Sequence, residues 1–537
     1  MPIIADHPAA ICSDQWRRSP RCCLEYLPAS THRLTCQSLP PSLPARFTTA
    51  RNLFAVPKWS GLIVVYQIES SVERQNMNKN RIIITAILVI LVIYLVSSFF
   101  YPVSVYSDSA FGLFIWRSML HGAPFNSVAT PNPVDRAVDI FAFQPWWSPG
   151  QYLVPGVISL TGLTPGRAIW VTVALASIAG LTGCYRLYHR LGFSQNISLI
   201  SCLILVLTRG FTLPFHTYNG GEVLLFGFLP WAMLLGLRVR NLSLPAIPLL
   251  VSAFLFGAFL KHSFFITAFA ILAAKVLTEA TSLSWPWPSG QRWRLAGLAA
   301  RAGLIFGAFY AILHFGYLAR GNDPSELGGG KFSLFPSIYG ISAPLLSAAS
   351  FGEVLPRIFV SGSSPRFENL ADLGWLYAIL AILAIATYRE ICRHGSAEYR
   401  TWLVAFVVIF TIALAVLSAR TPEIHNEDRH FRPVALLVAP GLTALLWRQR
   451  ANLLRLSLGL ILLLGTGYSL VSYGAITLRN RRAPVGRSGI CYHSVSREEL
   501  DAIHEKDRLA RPTDLIELPA YDLSLEVSRA RVVISAP

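Results

Sequence analysis

Charge is what this sequence has least of. Asp, Glu, Lys and Arg make up 14% of its 537 residues, against about a quarter in an ordinary soluble domain. Hydrophobic residues reach 53%. Acid is scarcer still, with 29 Asp and Glu facing 46 Lys and Arg, a formal net charge of +17. So little charge excludes a soluble globular enzyme and excludes disorder for the bulk of the chain. Cysteine supplies no framework either: the eight residues are scattered, Cys22 and Cys23 are adjacent, and no pair has metal-ligand spacing. Zinc-finger spacing and a base-reading basic helix are both missing, so the positive charge does not point to nucleic acid. Gly328-Gly329-Gly330-Lys331 lacks the spacing and the preceding strand of a P-loop. No Ser-His-Asp or zincin pattern and no internal repeat is legible.

What is present is a series of long apolar runs from Arg81 to Gly474. Runs of this length have one common use, crossing a bilayer. The expected fold is an all-α polytopic membrane protein of about 11 transmembrane helices, with structured extracytoplasmic loops and a small α/β C-terminal tail. The spans fall near 81–100, 166–184, 196–212, 222–237, 244–260, 263–279, 297–318, 374–391, 402–419, 433–447 and 455–474. The segment 149–163 is too short and too rich in Gly around Pro155 for a full crossing. The chain divides into residues 1–76, 77–475 and 476–537. The first segment, rich in Ser, Pro, Arg and Cys, is either a disordered leader or the product of an upstream start, with Met77 the true first residue; the second is preferred.

Arg density orients the bundle. Placing Lys79 and Arg81 on the cytoplasmic side puts Arg186, Arg190, Arg238, Arg240, Arg292, Arg294, Arg389, Arg393, Arg400, Arg448 and Arg450 in short inner loops. Loops 101–165 and 319–373 then lie outside, and so does the tail if the span count is odd. Arg479, Arg481 and Arg482 at its start run against that rule. In the tail the pattern predicts a helix at Ser496–Arg508 and strands near Leu515–Leu518 and Arg531–Ser535.

Polar residues collect at the outer span ends. Asp108, in Tyr106-Ser107-Asp108-Ser109, precedes an amphipathic stretch, Ala110–Leu120, that suits the membrane interface; capping that helix is the plainer role for Asp108. Trp146-Trp147 reads as an interface anchor or as a surface for a sugar ring. Glu222 opens an apolar run, where a carboxylate suits the helix dipole, or serves as a metal ligand or second acid. Lys261-His262 interrupts two runs, and a Lys there must snorkel or meet an anion. The densest cluster runs from Arg420 to Pro433 and contains His425, Arg429, His430 and Arg432. Its Arg and His residues invite a phosphate or diphosphate, unless the interspersed acids neutralise them internally.

In this order the elements resemble the C-type glycosyltransferase superfamily, which includes protein O-mannosyltransferases and the aminoarabinose transferases of lipid A. The resemblance covers about 77–475 and rests on architecture together with Ser107-Asp108-Ser109, Leu260-Lys261-His262 and Arg429-His430-Phe431-Arg432-Pro433. It implies a membrane glycosyltransferase that takes a sugar from a polyprenyl-phosphate donor. Asp108 would be the base, and Lys261 with Arg429–Arg432 would stabilise the departing phosphate. Many members carry two acids in the first loop, where here Asp108 stands alone locally. Asp135, Asp139 or Glu222 is then the candidate second acid, and a divalent metal is left open as cofactor. The alternative is a transporter or flippase of a lipid-linked or anionic solute, for which Arg301 and His314, within or near a span, are the residues to inspect. A non-catalytic assembly subunit is a third reading. Compact loops and the lack of a retention signal favour a bacterial inner membrane.

Overall fold

The computed structural model describes residues 60–132, 134–145, 147–239, 242–281, 289–321, 335–352, 354–355, 373–420, 428–448, 452–519 and 521–534. The chain forms two compact units, Met1–Tyr66 and Gln67–Pro537. Of the first, only Ser60–Tyr66 is described, and it is helical. The expected leader therefore lies mostly outside the described residues, and its last part is helix.

Each expected apolar run is helical. The series begins with α1 (Ser60–Phe100), whose 78–100 portion has the length and hydropathy of a span. After strand β1 (Ser104–Val105), helix α2 (Ser107–Leu120), the hairpin strands β2 (Ser127–Pro131) and β3 (Asp139–Phe143), and the short helix α3 (Gly150–Ser159) fill the first outer loop. Then follow α4 (Pro165–Arg190), α5 (Gln195–Val206), α6 (Arg209–Thr212), β4 (Thr217–Tyr218), α7 (Gly221–Arg238), α8 (Ala246–Leu260), α9 (Phe264–Thr281) and α10 (Ser289–Gly316). The second half contains α11 (Phe335–Ala348), α12 (Gly374–His394), α13 (Ala397–Arg420), α14 (Arg432–Leu446) and α15 (Leu453–Arg482). The sequence marks several starts: the Thr164 side chain caps α4 ahead of Pro165, Ser194 caps α5 and Asn452 caps α15.

Among the described residues, eight helices are long and apolar enough to cross a membrane, or nine if one bent pair counts as a single span. Among the described residues the expected count of about 11 is not reached, for two physical reasons. Helices α8 and α14 have 15 residues each, short of the ~20 a bilayer core requires. The run 196–212 is broken by a 64° bend between Val206 and Arg209. Arg209 causes it: the residue is buried, its backbone N–H donates to Ser350 Oγ at 2.9 Å, and its guanidinium lies 5.7 Å from the Tyr468 ring. One element was not foreseen. Helix α11, inside the second outer loop, packs against α12, α13 and α14 and buries Tyr339, Leu345 and Leu346.

The two ends of the bundle are distinct. At one end Arg190 pairs with Glu398 at 2.9 Å and Ser396 Oγ donates to the Leu191 carbonyl. The opposite end gathers β1, α2, α3, β4 and the tail. Strands β1 and β4 pair in parallel, Ser104 with Thr217 and Val105 with Tyr218. The tail joins them through Cys491 N–H to the Val103 carbonyl (3.1 Å) and Gly166 N–H to the Ser488 carbonyl (2.8 Å). It therefore shares the side of the first loop, despite the Arg residues at its start. It holds α16 (Arg497–Leu509), opened by a Ser496–Glu499 capping box, and the parallel strands β5 (Leu515–Leu518) and β6 (Arg531–Ile534).

Candidate functional site

The site forms where the first residues of α2 and α7 meet. The β1–β4 pair brings them together, because each strand leads into one of the helices within three residues. The Tyr106 N–H donates to the Tyr218 carbonyl at 3.1 Å, and the Tyr218 hydroxyl donates to the Gln151 carbonyl at 2.5 Å. The chain turns into α7 at Gly220, whose φ of 64° is the region glycine tolerates best. A Cβ there would stand 2.5 Å from Gln151 Oε1 and 2.7 Å from Ser109 Oγ. Gly221 is equally confined, since its Cβ would lie 2.6 Å from the Leu260 carbonyl oxygen. The Glu222 helix is thus drawn against the end of α8, where Lys261 follows.

Lys261 Nζ donates to Glu222 Oε1 at 2.5 Å, and Arg429 Nη1 approaches the same oxygen at 3.5 Å. The Glu222 side chain is 6% exposed. Arg432, the first residue of α14, acts electrostatically on the same carboxylate and also borders Gly210. His430 lies among these groups. Burial first, then the Arg429 and Lys261 charges, push its imidazole down to about 3, so it is neutral at ordinary pH. The Lys261 turn is pinned from outside by His262 N–H, which donates to Ser148 Oγ at 2.6 Å. The His262 ring sits 5.3 Å from that of Tyr317. The Tyr317 hydroxyl in turn donates to the Trp147 carbonyl at 2.7 Å.

Asp108 occupies the second position of α2. The cap position is held by Tyr106, whose side chain does not cap the helix, so capping is not what Asp108 does. The residue is half-buried, and its carboxylate makes no hydrogen bond or ion pair with any described residue. A carboxylate that is otherwise uncommitted is available to take a proton. Around Gly220, Ser109 Oγ, Gln151 Nε2 and Asn219 Oδ1 are buried and find no partner among the described residues. Buried polar groups left so are costly, and a polar ligand or water satisfies them.

The structure thus brings together Asp108, Glu222, Lys261, Arg429, His430 and Arg432 at one end of the bundle. It does not bring in the other candidate acids. Asp135 is exposed and accepts from the Ala137 N–H at 3.0 Å within its own turn. Asp139 forms an ion pair with Arg531 of the tail. Glu222 is engaged as counter-ion to the cations. Trp147 is present at the edge, 6.0 Å from the Phe111 ring. Trp146, His425 and the Arg420 side chain lie outside the described residues. Among the described residues no group of three or more His, Cys, Asp or Glu could hold a metal ion. Of the transporter candidates, Arg301 is exposed on α10, and His314 stacks on Tyr310 of its own helix. Sequence reading gave no role to Ser109, although it lies in Ser107-Asp108-Ser109, nor to Gln151, Asn219, Tyr317 and Tyr521.

No family model and no curated protein matches the chain. Among solved structures it is similar to the archaeal oligosaccharyltransferase AglB from Archaeoglobus fulgidus, in complex with an inhibitory peptide and a dolichol-phosphate. That match has 13% identity and a TM-score of 0.40, and it covers 80% of this chain and 58% of that one. The chain therefore spans little more than half the length of that neighbour. It is also similar to ArnT from Cupriavidus metallidurans bound to undecaprenyl phosphate, with 13% identity and a TM-score of 0.40, over 84% of this chain and 85% of that one.

Proposed function

We propose that this chain is an integral membrane glycosyltransferase that moves a sugar from a polyprenyl-phosphate donor to an acceptor on the extracytoplasmic side, in a bacterial inner membrane. One observation carries the reading: an uncommitted carboxylate, Asp108, stands at the same end of the bundle as a cluster of cations, and a β-strand pair couples the two. Base and anion site are the two things that sugar transfer from a phosphate needs.

The acceptor hydroxyl gives its proton to Asp108 as its oxygen forms a bond to the anomeric carbon. The bond from that carbon to the phosphate oxygen breaks with its electron pair, and the polyprenyl phosphate departs from the opposite face, so the anomeric centre inverts. Lys261, Arg429 and Arg432 stabilise the charge that develops on the leaving oxygen. Glu222 orients Lys261 and Arg429 beforehand, so little reorganisation is needed as that charge appears. His430, being neutral, adds no charge.

The test is binding of polyprenyl phosphate to the full chain in lipid nanodiscs. Charged hydrogen bonds of this kind contribute about 1.5–3 kcal/mol each, so Lys261→Met and Arg432→Gln are each expected to weaken binding roughly 10- to 150-fold. Unchanged affinity in both variants contradicts the assignment of the anion site.

A further inference from the structure

The tail adds a ring to this site. Phe111 lies one helical turn after Asp108 on the same face of α2. Its ring is 6.0 Å from that of Trp147 and 5.2 Å from that of Tyr521, at interplanar angles of 49° and 78°. Tyr521 belongs to the C-terminal tail and is 38% exposed. Two aromatic residues of the first outer loop and one of the tail therefore stand together beside the uncommitted acid.

The segment that follows Tyr521 is anchored by hydrogen bonds. Just after it, Glu526 is fully buried and gathers the tail around one carboxylate. It accepts from the Arg487 N–H (2.6 Å), the Ser488 N–H (3.2 Å) and hydroxyl, the Tyr492 hydroxyl (2.7 Å) and His504 Nε2 (2.8 Å). Asp507 fixes the next turn by accepting from the Ser528 and Arg529 N–H groups at 3.0 and 2.8 Å. The whole segment is tied to the Asp108 helix itself: Arg117 of α2 donates to the Val527 carbonyl at 2.8 Å and to the Ala530 carbonyl at 3.2 Å. These contacts place the backbone that carries the ring against α2, so little chain ordering is left for a ligand to impose.

We propose that Tyr521, Phe111 and Trp147 form an aromatic wall on which a pyranose ring of the substrate stacks, so that the C-terminal tail completes the sugar-binding site. The proposal rests on the glycosyltransferase reading and extends it to residues outside the acid and the cations. A pyranose has an apolar C–H face and a rim of hydroxyls. The aromatic faces suit the first. Asp108, one turn away, suits the second.

The test uses the full chain in nanodiscs and methyl glycosides of glucose, mannose and galactose as probes, read by saturation-transfer NMR. Tyr521→Leu fills similar space without a ring, and Tyr521→Phe keeps the ring. At least one glycoside is expected to show saturation at its ring C–H protons, with affinity about 3- to 10-fold weaker in Tyr521→Leu and largely recovered in Tyr521→Phe. In transfer from a polyprenyl-phosphate sugar, the same loss should appear in KM more than in kcat, and the substrate whose KM rises identifies the stacked sugar as donor's or acceptor's. No saturation with any of the three glycosides overturns the proposal, as does Tyr521→Leu matching the wild type. Transfer that proceeds without ring-dependent sugar binding removes the wall and leaves the glycosyltransferase standing. Ring-dependent binding without transfer upholds the wall and removes the enzyme.

Discussion

Replacing Glu222 with Leu probes the centre of the anion site. In the wild type, Lys261 Nζ and Arg429 Nη1 approach one carboxylate oxygen at 2.5 and 3.5 Å. The two cationic nitrogens are therefore no more than about 6 Å apart, and at an effective dielectric near 20 they repel by about 3 kcal/mol. Glu222 more than offsets this. Removing it exposes the repulsion and leaves a buried ammonium without its closest counter-charge, a change of about 3–5 kcal/mol for a buried pair broken on one side. Glu222→Leu should lower the ratio of folded to unfolded protein at least roughly a hundredfold, seen as an earlier thermal transition in tryptophan fluorescence of the nanodisc-bound protein. Because the defect is a missing anion, polyprenyl phosphate should raise the transition temperature of the variant more than that of the wild type. A variant as stable as the wild type, or one indifferent to the anion, refutes this reasoning.

Three further outcomes follow from the geometry. His430, held down to about 3 by burial and neighbouring cations, binds fewer protons folded than unfolded between about pH 6.5 and 3. Its contribution to stability is therefore present above pH 6.5 and lost as pH falls through that window, and binding of a phosphodiester probe should show no His-type step near pH 6.5; such a step contradicts a neutral His430. Gly220→Val places a branched side chain at positive φ against Gln151 and Ser109, and a loss of at least about 1 kcal/mol in unfolding experiments is expected. Glu526→Gln removes the charge that its donors share, so protease should cleave the tail beyond Arg482 markedly faster. Burial pushes the Glu526 carboxyl up, but hydrogen bonds from Ser488, Tyr492 and His504 outweigh it and hold it below its ordinary value. Tail attachment should accordingly persist above the usual carboxylate range and fail as pH drops below it.

The bundle was legible because hydropathy is local: an apolar run needs no distant partner to reveal itself, and all eleven runs are helical. What hydropathy does not carry is length against a bilayer or a bend imposed from afar. Helices α8 and α14 end early, and α5 breaks where Arg209 turns inward to Ser350 and Tyr468. Helix α11 escaped notice because it is apolar but short, and it is buried by neighbours rather than by lipid. In the site, Glu222, Lys261, Arg429 and Arg432 stood out as charges at the ends of apolar runs. Their mutual contacts did not, since 39 residues separate Glu222 from Lys261. Asp139 illustrates the reverse: an acid in the expected loop, but committed to Arg531 near the far end of the chain. Tyr521 lies in a mixed stretch, Leu518-Pro519-Ala520-Tyr521-Asp522, that carries no motif, and only the packing of the tail on α2 reveals it.

The central claim is that Asp108 is the base of a sugar transfer. Transfer of radiolabelled sugar from polyprenyl phosphate, followed together with release of free sugar, measures it directly in the wild type and in Asp108→Asn. The account predicts transfer by the wild type and a loss of roughly 10²- to 10⁴-fold in the variant, with polyprenyl phosphate still bound. Full transfer by Asp108→Asn, or none by the wild type with any polyprenyl-phosphate sugar, contradicts it.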